Sequence, residues 1–226
     1  MADIKEQSTR AKNFKVKTVT VALNPTAFQM TDDDGPVGGC YVSGVVEEVG
    51  SDCKTDVKKG DKVFCICHMQ QLEHGTFADF AMVKDGHLAK IPDGKTFEGT
   101  ASMGAGVTTV RQALYHDLKM PWRIEPAKKS FPILIYGAST ASGTVAIQHA
   151  KFGPSEPKDV NVRWMLACTS LGEDFFDYGT TRPVVPERFQ RGVKYWEINA
   201  MLLAKGEIKT HPITVSDGGL LLLPEG

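Results

Sequence analysis

The chain has 226 residues, 42% apolar and 23% charged, with 26 basic and 27 acidic side chains and a formal net charge of -1. That composition belongs to soluble globular proteins and excludes a collagen-like, mucin-like or wholly disordered chain. The charge balance supplies no field towards nucleic acid or anionic lipid, so neither is an expected partner.

Residues 1–13 form a polar arm with no apolar signal core. No apolar run approaches the ~18–20 residues of a membrane span, and the expected compartment is the cytoplasm. Residues 14–23 (FKVKTVTVAL) alternate and are rich in β-branched side chains, which predicts a strand ended by Asn24 and Pro25. An acidic, glycine- and proline-rich loop covers 31–39. Strands follow at 41–49, 62–66 and 76–83, with a short edge segment at 89–92 and Gly44 as a bulge or a point of close approach. Short strands with glycine-rich turns predict a small β-barrel. Residues 96–115 have helical spacing, and 120–130 form a linker. The apolar run 131–136 (FPILIY) predicts a strand buried on both faces. A small-residue turn at 137–143 leads into a helix at 144–152 that turns Val145, Ala146, Ile147 and Ala150 to the sheet. Strand, small-residue turn and helix in that order open a nucleotide-binding α/β unit. A turn at 153–159, a strand at 160–167 and an irregular loop at 172–186 come next. Residues 187–205 are amphipathic, with Phe189, Val193, Trp196, Ala200 and Leu203 three and four apart and Gly206 as cap. A strand is expected at 213–215.

Five cysteines, an odd count, argue against a disulfide framework. Cys65 and Cys67 sit on one face of a strand among apolar residues, and no second cluster with zinc spacing follows, so no metal site is expected. His68, His74, His87 and His116 have no carboxylate at a telling spacing and receive no acid–base role, and His211 is taken as structural. Phe189 and Trp196 fall on a buried stripe. The turn Gly137-Ala138-Ser139-Thr140-Ala141-Ser142-Gly143 is the strongest local signal. Small residues allow a pyrophosphate to approach the backbone, and Ser139, Thr140 and Ser142 add hydroxyl donors. The strict G-x-G-x-x-G pattern is absent, and a tight turn without ligand is the other reading.

The ordered set Ala22 to Thr26, Gly44 to Gly50, Lys59 to Val63, Gly75 to Phe80, Lys90 to Asp93, Gly106 to Thr109 and Ile135 to Gly143 resembles the zinc-independent medium-chain dehydrogenase/reductases. It is most similar to the fungal trans-acting enoyl reductases that serve iterative polyketide synthases, the lovastatin enoyl reductase type. The resemblance implies an α/β fold with a GroES-like β-barrel and a Rossmann domain, and NADPH held between them. It implies cofactor contacts from Thr26, Ala27, Phe28 and Gln29, where the family's acid and lysine are lost, and phosphate contacts from Ser139, Thr140, Ala141 and Ser142. Thr109 takes the place of the hydroxyl beside the nicotinamide. Val107, Thr108, Thr109, Val110, Arg111, Gln112, Ala113 and Leu114 would line the acyl channel, with Thr169, Ser170, Leu171, Gly172 and Glu173 from the later segment. Arg111 is unusual in an apolar channel, and a solvated helix face is its other reading.

The chain departs from the family after the first Rossmann helix. From Gly153 it passes within a few residues to Val162–Ala167, which resembles the segment beyond the Rossmann core. Several strands and helices are missing, among them the one that recognises the adenosine ribose. Both ends look short as well. The expected organisation is a barrel over 14–125, a partial Rossmann domain over 126–168 and a returning segment over 169–226. The expected function is NADPH-dependent reduction of a polyketide enoyl thioester in secondary metabolism, as monomer or homodimer. The alternatives are a reductase-like protein that docks on the synthase without catalysis and a truncated, inactive product.

Overall fold

The computed structural model describes residues 11–24, 37–68, 75–118, 120, 133–150, 167–177 and 180–215. Five strands, β1 (Asn13–Val21), β2 (Tyr41–Val49), β3 (Lys62–Ile66), β4 (Phe80–Lys84) and β5 (Leu88–Lys90), make one antiparallel sheet in the order β4-β1-β2-β3-β5. Alternation divides its side chains between two cores. Phe14, Val16, Val42, Val63, Cys65 and Cys67 fill one. Phe64 and Ile66 enter the other, which the helices complete. Register shifts between Lys15 and Val16 and between Thr18 and Thr20 bend the β1–β2 pair. Gly44 marks the close approach, because a Cβ there would lie 2.1 Å from the Lys17 carbonyl oxygen. Lys15 is buried, and Glu48 at 3.1 Å and the Phe80 ring at 4.6 Å hold its ammonium.

The expected helix over 96–115 is two helices. α1 (Phe97–Ala101) starts at Thr96, whose hydroxyl accepts from the Gly99 N–H. α2 (Gly104–Arg111) continues into a π-helical turn, Gln112–Asp117. α3 (Ala141–Ala150) begins inside the expected turn. A 3-10 turn (Ala167–Ser170) precedes the hairpin β6 (Phe175–Asp177) and β7 (Thr180–Arg182), which occupies what reads in the sequence as irregular loop. α4 (Pro186–Ala204) starts on its proline, where a missing N–H costs nothing. Trp196 and Leu203 lie on its buried face as the spacing predicts. The stripe is rotated to include Gly192, Tyr195, Asn199 and Leu202, while Phe189, Val193 and Ala200 lie at its margin. Trp196 packs on Phe64 with ring centroids 5.2 Å apart and so joins α4 to the sheet. Among the described residues no helix is long and apolar enough to cross a membrane.

Three expectations are corrected. Residues 133–136 form no strand, with Leu134 94% and Tyr136 100% exposed. An apolar run becomes a two-sided buried strand only with neighbours to pair with, and none of the described strands lies beside this one. On α3, Ile147 is exposed and His149 takes the buried position. Residues 213–215 form no strand among the described residues, and Ile213 and Val215 are exposed. The expected linker at 121–130 and most of the expected strand at 160–167 lie outside the described residues.

Candidate functional site

The small-residue turn is built around Thr140. Its hydroxyl donates to the Gly137 carbonyl at 2.8 Å and accepts from the Gly143 N–H at 3.0 Å, while its carbonyl accepts from the Thr144 N–H. It is a capping residue, and its hydroxyl is committed to the backbone. Gly137 has a φ of 76°, in the left-handed region open to glycine. Ser139, Thr140 and Ala141 are exposed. Among the described residues the N–H groups of Ala141 and Ser142 have no acceptor. An exposed helix start with open N–H groups fits a phosphate, and so fits the pyrophosphate of a dinucleotide.

α2 packs against this turn through Gly106. A Cβ there would lie 3.5 Å from the Ala141 carbonyl oxygen and 3.7 Å from a Val145 methyl. Thr109, one turn further along the same face, is half-buried, and its hydroxyl has no hydrogen bond among the described residues. Thr108 is different: it is 1% exposed and its hydroxyl donates to the Gly104 carbonyl at 3.3 Å. The structure thus sets the free hydroxyl of Thr109 on the helix face that meets the turn, and turns Thr108 inward. Thr26, Ala27, Phe28 and Gln29 lie outside the described residues.

The remaining expected substrate residues divide into two groups. Val107, Val110 and Leu114 belong to the core between sheet and helices. Arg111 is not on a solvated face, and it makes no ion pair among the described residues. It is 0% exposed, and Nε, Nη1 and Nη2 all lack a hydrogen-bond partner. Its guanidinium lies 5.0 Å from the centroid of the Tyr115 ring. Burial pulls its pKa down to about 10, opposed by Tyr115 and Tyr195, so it remains a cation at neutral pH.

The 3-10 turn and the residues after it form a strap between α4 and the sheet. Thr169 accepts from Arg188 Nη1 at 3.0 Å and donates to Gln112 Oε1 at 3.3 Å. His87 Nε2 lies 2.9 Å from the Ser170 carbonyl oxygen. Lys84 reaches the Gly172 carbonyl at 2.9 Å and Glu173 at 3.0 Å. Leu171 is buried in the helix-side core. Thr169 to Glu173 therefore have structural partners, among them Gln112 at the start of the π-helical turn. The roles of His87 and Arg188 as clamps were invisible in the sequence, because their partners lie 83 and 19 residues away. Burial pulls the His87 pKa down to about 4, and the ring stays neutral. His211 ties the later chain to α3, its Nδ1 lying 3.0 Å from the Thr144 hydroxyl.

Cys65 and Cys67 are packed in the sheet core, where burial pushes both thiols up. Among the described residues no group of three His, Cys, Asp or Glu side chains is placed to hold a metal ion.

Residues 10–93 match the alcohol dehydrogenase GroES-like domain. Trans-enoyl reductase TOXD of Cochliobolus carbonum is 45% identical over 178 residues, covering 72% of this chain and 58% of that protein. Trans-enoyl reductase ACTTS2 of Alternaria alternata is 28% identical over 303 aligned positions, covering 96% and 87%. That alignment is longer than this 226-residue chain, so stretches of the relative have no counterpart here. Among solved structures, an alcohol dehydrogenase superfamily protein from Novosphingobium aromaticivorans superposes with a TM-score of 0.63 at 16% identity, covering 92% of this chain and 84% of that one. Escherichia coli quinone oxidoreductase complexed with NADPH superposes with a TM-score of 0.50 at 21% identity, covering 69% and 46%. The sheet and the helix-capped turn define a GroES-like domain joined to part of a Rossmann unit. The chain belongs to the medium-chain dehydrogenase/reductases, in their fungal trans-enoyl reductase type. It spans little more than half the length of the Cochliobolus relative, 58%.

Proposed function

We propose that the chain is an NADPH-dependent enoyl reductase acting in trans on an unsaturated acyl thioester carried by a polyketide synthase. The observation that supports this reading is the packing of α2 on the start of α3 at Gly106, with Thr109 one helical turn further along α2 and open N–H groups at the start of α3. The names of the related trans-enoyl reductases support the substrate class. When bound, NADPH supplies the hydride for the β-carbon of the thioester. Ser139 and the N–H groups of Ala141 and Ser142 hold phosphate, and Thr140 keeps the turn in shape. The Thr109 hydroxyl orients the nicotinamide, and solvent protonates the α-carbon.

Thr109→Val keeps the volume and removes the hydroxyl. Losing one hydrogen bond of this kind costs on the order of 1 kcal/mol, so turnover is expected to fall several-fold to about tenfold. Thr108→Val is milder, because that hydroxyl is already committed to Gly104. The rate of NADPH oxidation with an enoyl thioester tests both; equal and full activity in the two variants removes Thr109 from the site.

Cofactor affinity is expected to be weak, with little preference for NADPH over NADH, because the sequence passes from Gly153 within a few residues to Val162–Ala167 and leaves out the segment that recognises the adenosine ribose in the family it resembles. Titration of tryptophan fluorescence with both nucleotides measures it. Tight binding with strong NADPH preference contradicts this account.

A second reading, a reductase-like protein that docks on a synthase without catalysis, is favoured by Leu134 and Tyr136, exposed where the family has a buried strand. Co-purification with the synthase without nucleotide binding would select it.

A further inference from the structure

The strap between α4 and the sheet sends Leu171 into the helix-side core and is otherwise tied from the β4–β5 turn by polar groups. His87 Nε2 lies 2.9 Å from the Ser170 carbonyl oxygen, and Lys84 reaches the Gly172 carbonyl at 2.9 Å and Glu173 at 3.0 Å. A carbonyl only accepts, so the proton of the neutral His87 ring sits on Nε2, and an added proton takes Nδ1. α4 closes over this bond. A Cβ on Gly192 would lie 3.1 Å from the Ser170 oxygen and 3.5 Å from His87 Nε2, and the Phe189 ring lies 5.2 Å from the imidazole. His87 is 1% exposed and Ser170 0%. A small cavity beside the ring is lined in part by Cys67, His68, Lys84, Leu171 and Glu173. We infer that His87 is an acid-sensitive latch, and that protonation of its ring releases the strap from the sheet while β1 and β2 stay folded.

The cause is solvation and not loss of the bond. A protonated ring still donates through Nε2, but a cation shut away from water beside a lysine is costly. The groups around the ring come from four elements. Its own turn supplies Lys84 and the Asp85 backbone, the strap supplies Glu173 and the Ser170 carbonyl, and the end of β3 supplies Cys67 and His68. α4 supplies the Phe189 ring, with Arg188 turned to Thr169. Burial acts most strongly against the cation and Lys84 adds to it. The Ser170 and Asp85 backbone and Glu173 oppose them without prevailing, and the pKa falls from 6.5 to about 4. Lifting the strap admits water and restores the ordinary proton affinity. Above about pH 6.5 neither form carries the extra proton, and opening is independent of pH. Between there and about pH 4 only the open form binds it, so opening rises by up to about tenfold per pH unit. Thr169 leaves with the strap, and Gln112 loses that donor at the start of the π-helical turn. The latch needs neither cofactor nor turnover and stands apart from the reductase reading.

Hydrogen exchange of the full chain between pH 7 and pH 4 tests it. Rates are divided by those of unstructured peptides of the same sequence, which removes the pH dependence of the exchange chemistry. The reporters are the amides of the 3-10 turn at the head of the strap, with those of β1 and β2 for comparison. The expected result is a loss of strap protection of about a hundredfold from pH 7 to pH 4, with a loss below about tenfold in β1 and β2. His87→Gln keeps an N–H donor near the place of Nε2 and takes no proton, so its strap protection is expected to be flat over the same interval. Strap protection that is constant in the unmutated chain overturns the latch. So does an equal fall in the strap and in β1 and β2, which is acid unfolding of the whole chain, and so does an unchanged fall in His87→Gln. A fall that survives His87→Gln and vanishes in His68→Gln overturns the choice of ring. If His87→Gln does not fold, NMR titration of the histidines in the unmutated chain decides. His87 must titrate well below its ordinary range as the strap loses protection, and an ordinary titration in the folded chain overturns the latch.

Discussion

Trp196→Ala is expected to lower the melting temperature by roughly 6–20 °C, the consequence of losing about 3–5 kcal/mol in a chain of this size. Trp196 is 1% exposed and is among the largest side chains buried completely. It packs on Phe64 of β3, so its removal leaves a void where α4 meets the sheet. Phe189→Ala is the comparison. That ring is half-buried beside His87, 5.2 Å between centroids, under the Lys84 ammonium at 5.3 Å, and should cost markedly less. Circular dichroism melts measure both. A Trp196→Ala melt no lower than that of Phe189→Ala would mean that α4 is not anchored through this contact.

How far the sequence carries depends on where each element's partners lie. β2 and β3 match their expected bounds, and the alternation of Val63, Phe64, Cys65 and Ile66 distributes side chains to two cores as period-two spacing requires. Gly44 was legible as a special position because a glycine inside a strand gives up side-chain packing and so marks a bulge or a close backbone approach. Position 134 failed for the opposite reason. The FPILIY run has the composition of a central strand, but composition does not supply neighbours, and Leu134 is left exposed. For Arg111 the sequence left open a channel position and a solvated face, and only tertiary packing, by burying it, removes the second. At the turn, the small residues were legible as a close-approach motif. The sequence could not distinguish the hydroxyl of Thr140, spent on Gly137 and Gly143, from that of Ser139, which is exposed.

Gly143→Ala should therefore damage the turn more than any loss of a hydroxyl in it. A Cβ at Gly143 would lie 2.1 Å from the Gly137 carbonyl oxygen and 2.8 Å from the Ala138 Cα. Both are backbone atoms, so the collision cannot be relieved by a side-chain rotation. The turn must open, and opening it separates the Gly143 N–H from the Thr140 hydroxyl that caps α3. Overpacking of this kind costs about 1–3 kcal/mol, and losing the cap adds about 0.5–2 kcal/mol. The sheet and α4 lie outside the turn, so the damage is expected as local unfolding of α3. Hydrogen exchange of the α3 amides should accelerate by one to three orders of magnitude, about 1.4 kcal/mol for each factor of ten, while the amides of β1 and β2 stay protected. Thr140→Ala, which removes the cap without the collision, should accelerate the same amides less. Nucleotide titration separates the two roles of the turn. If its open N–H groups hold phosphate, Gly143→Ala abolishes the fluorescence response to NADPH and Thr140→Ala only weakens it. Undisturbed exchange in α3 would show that the backbone can accept a methyl group at 143, and the close approach would lose its place in the site.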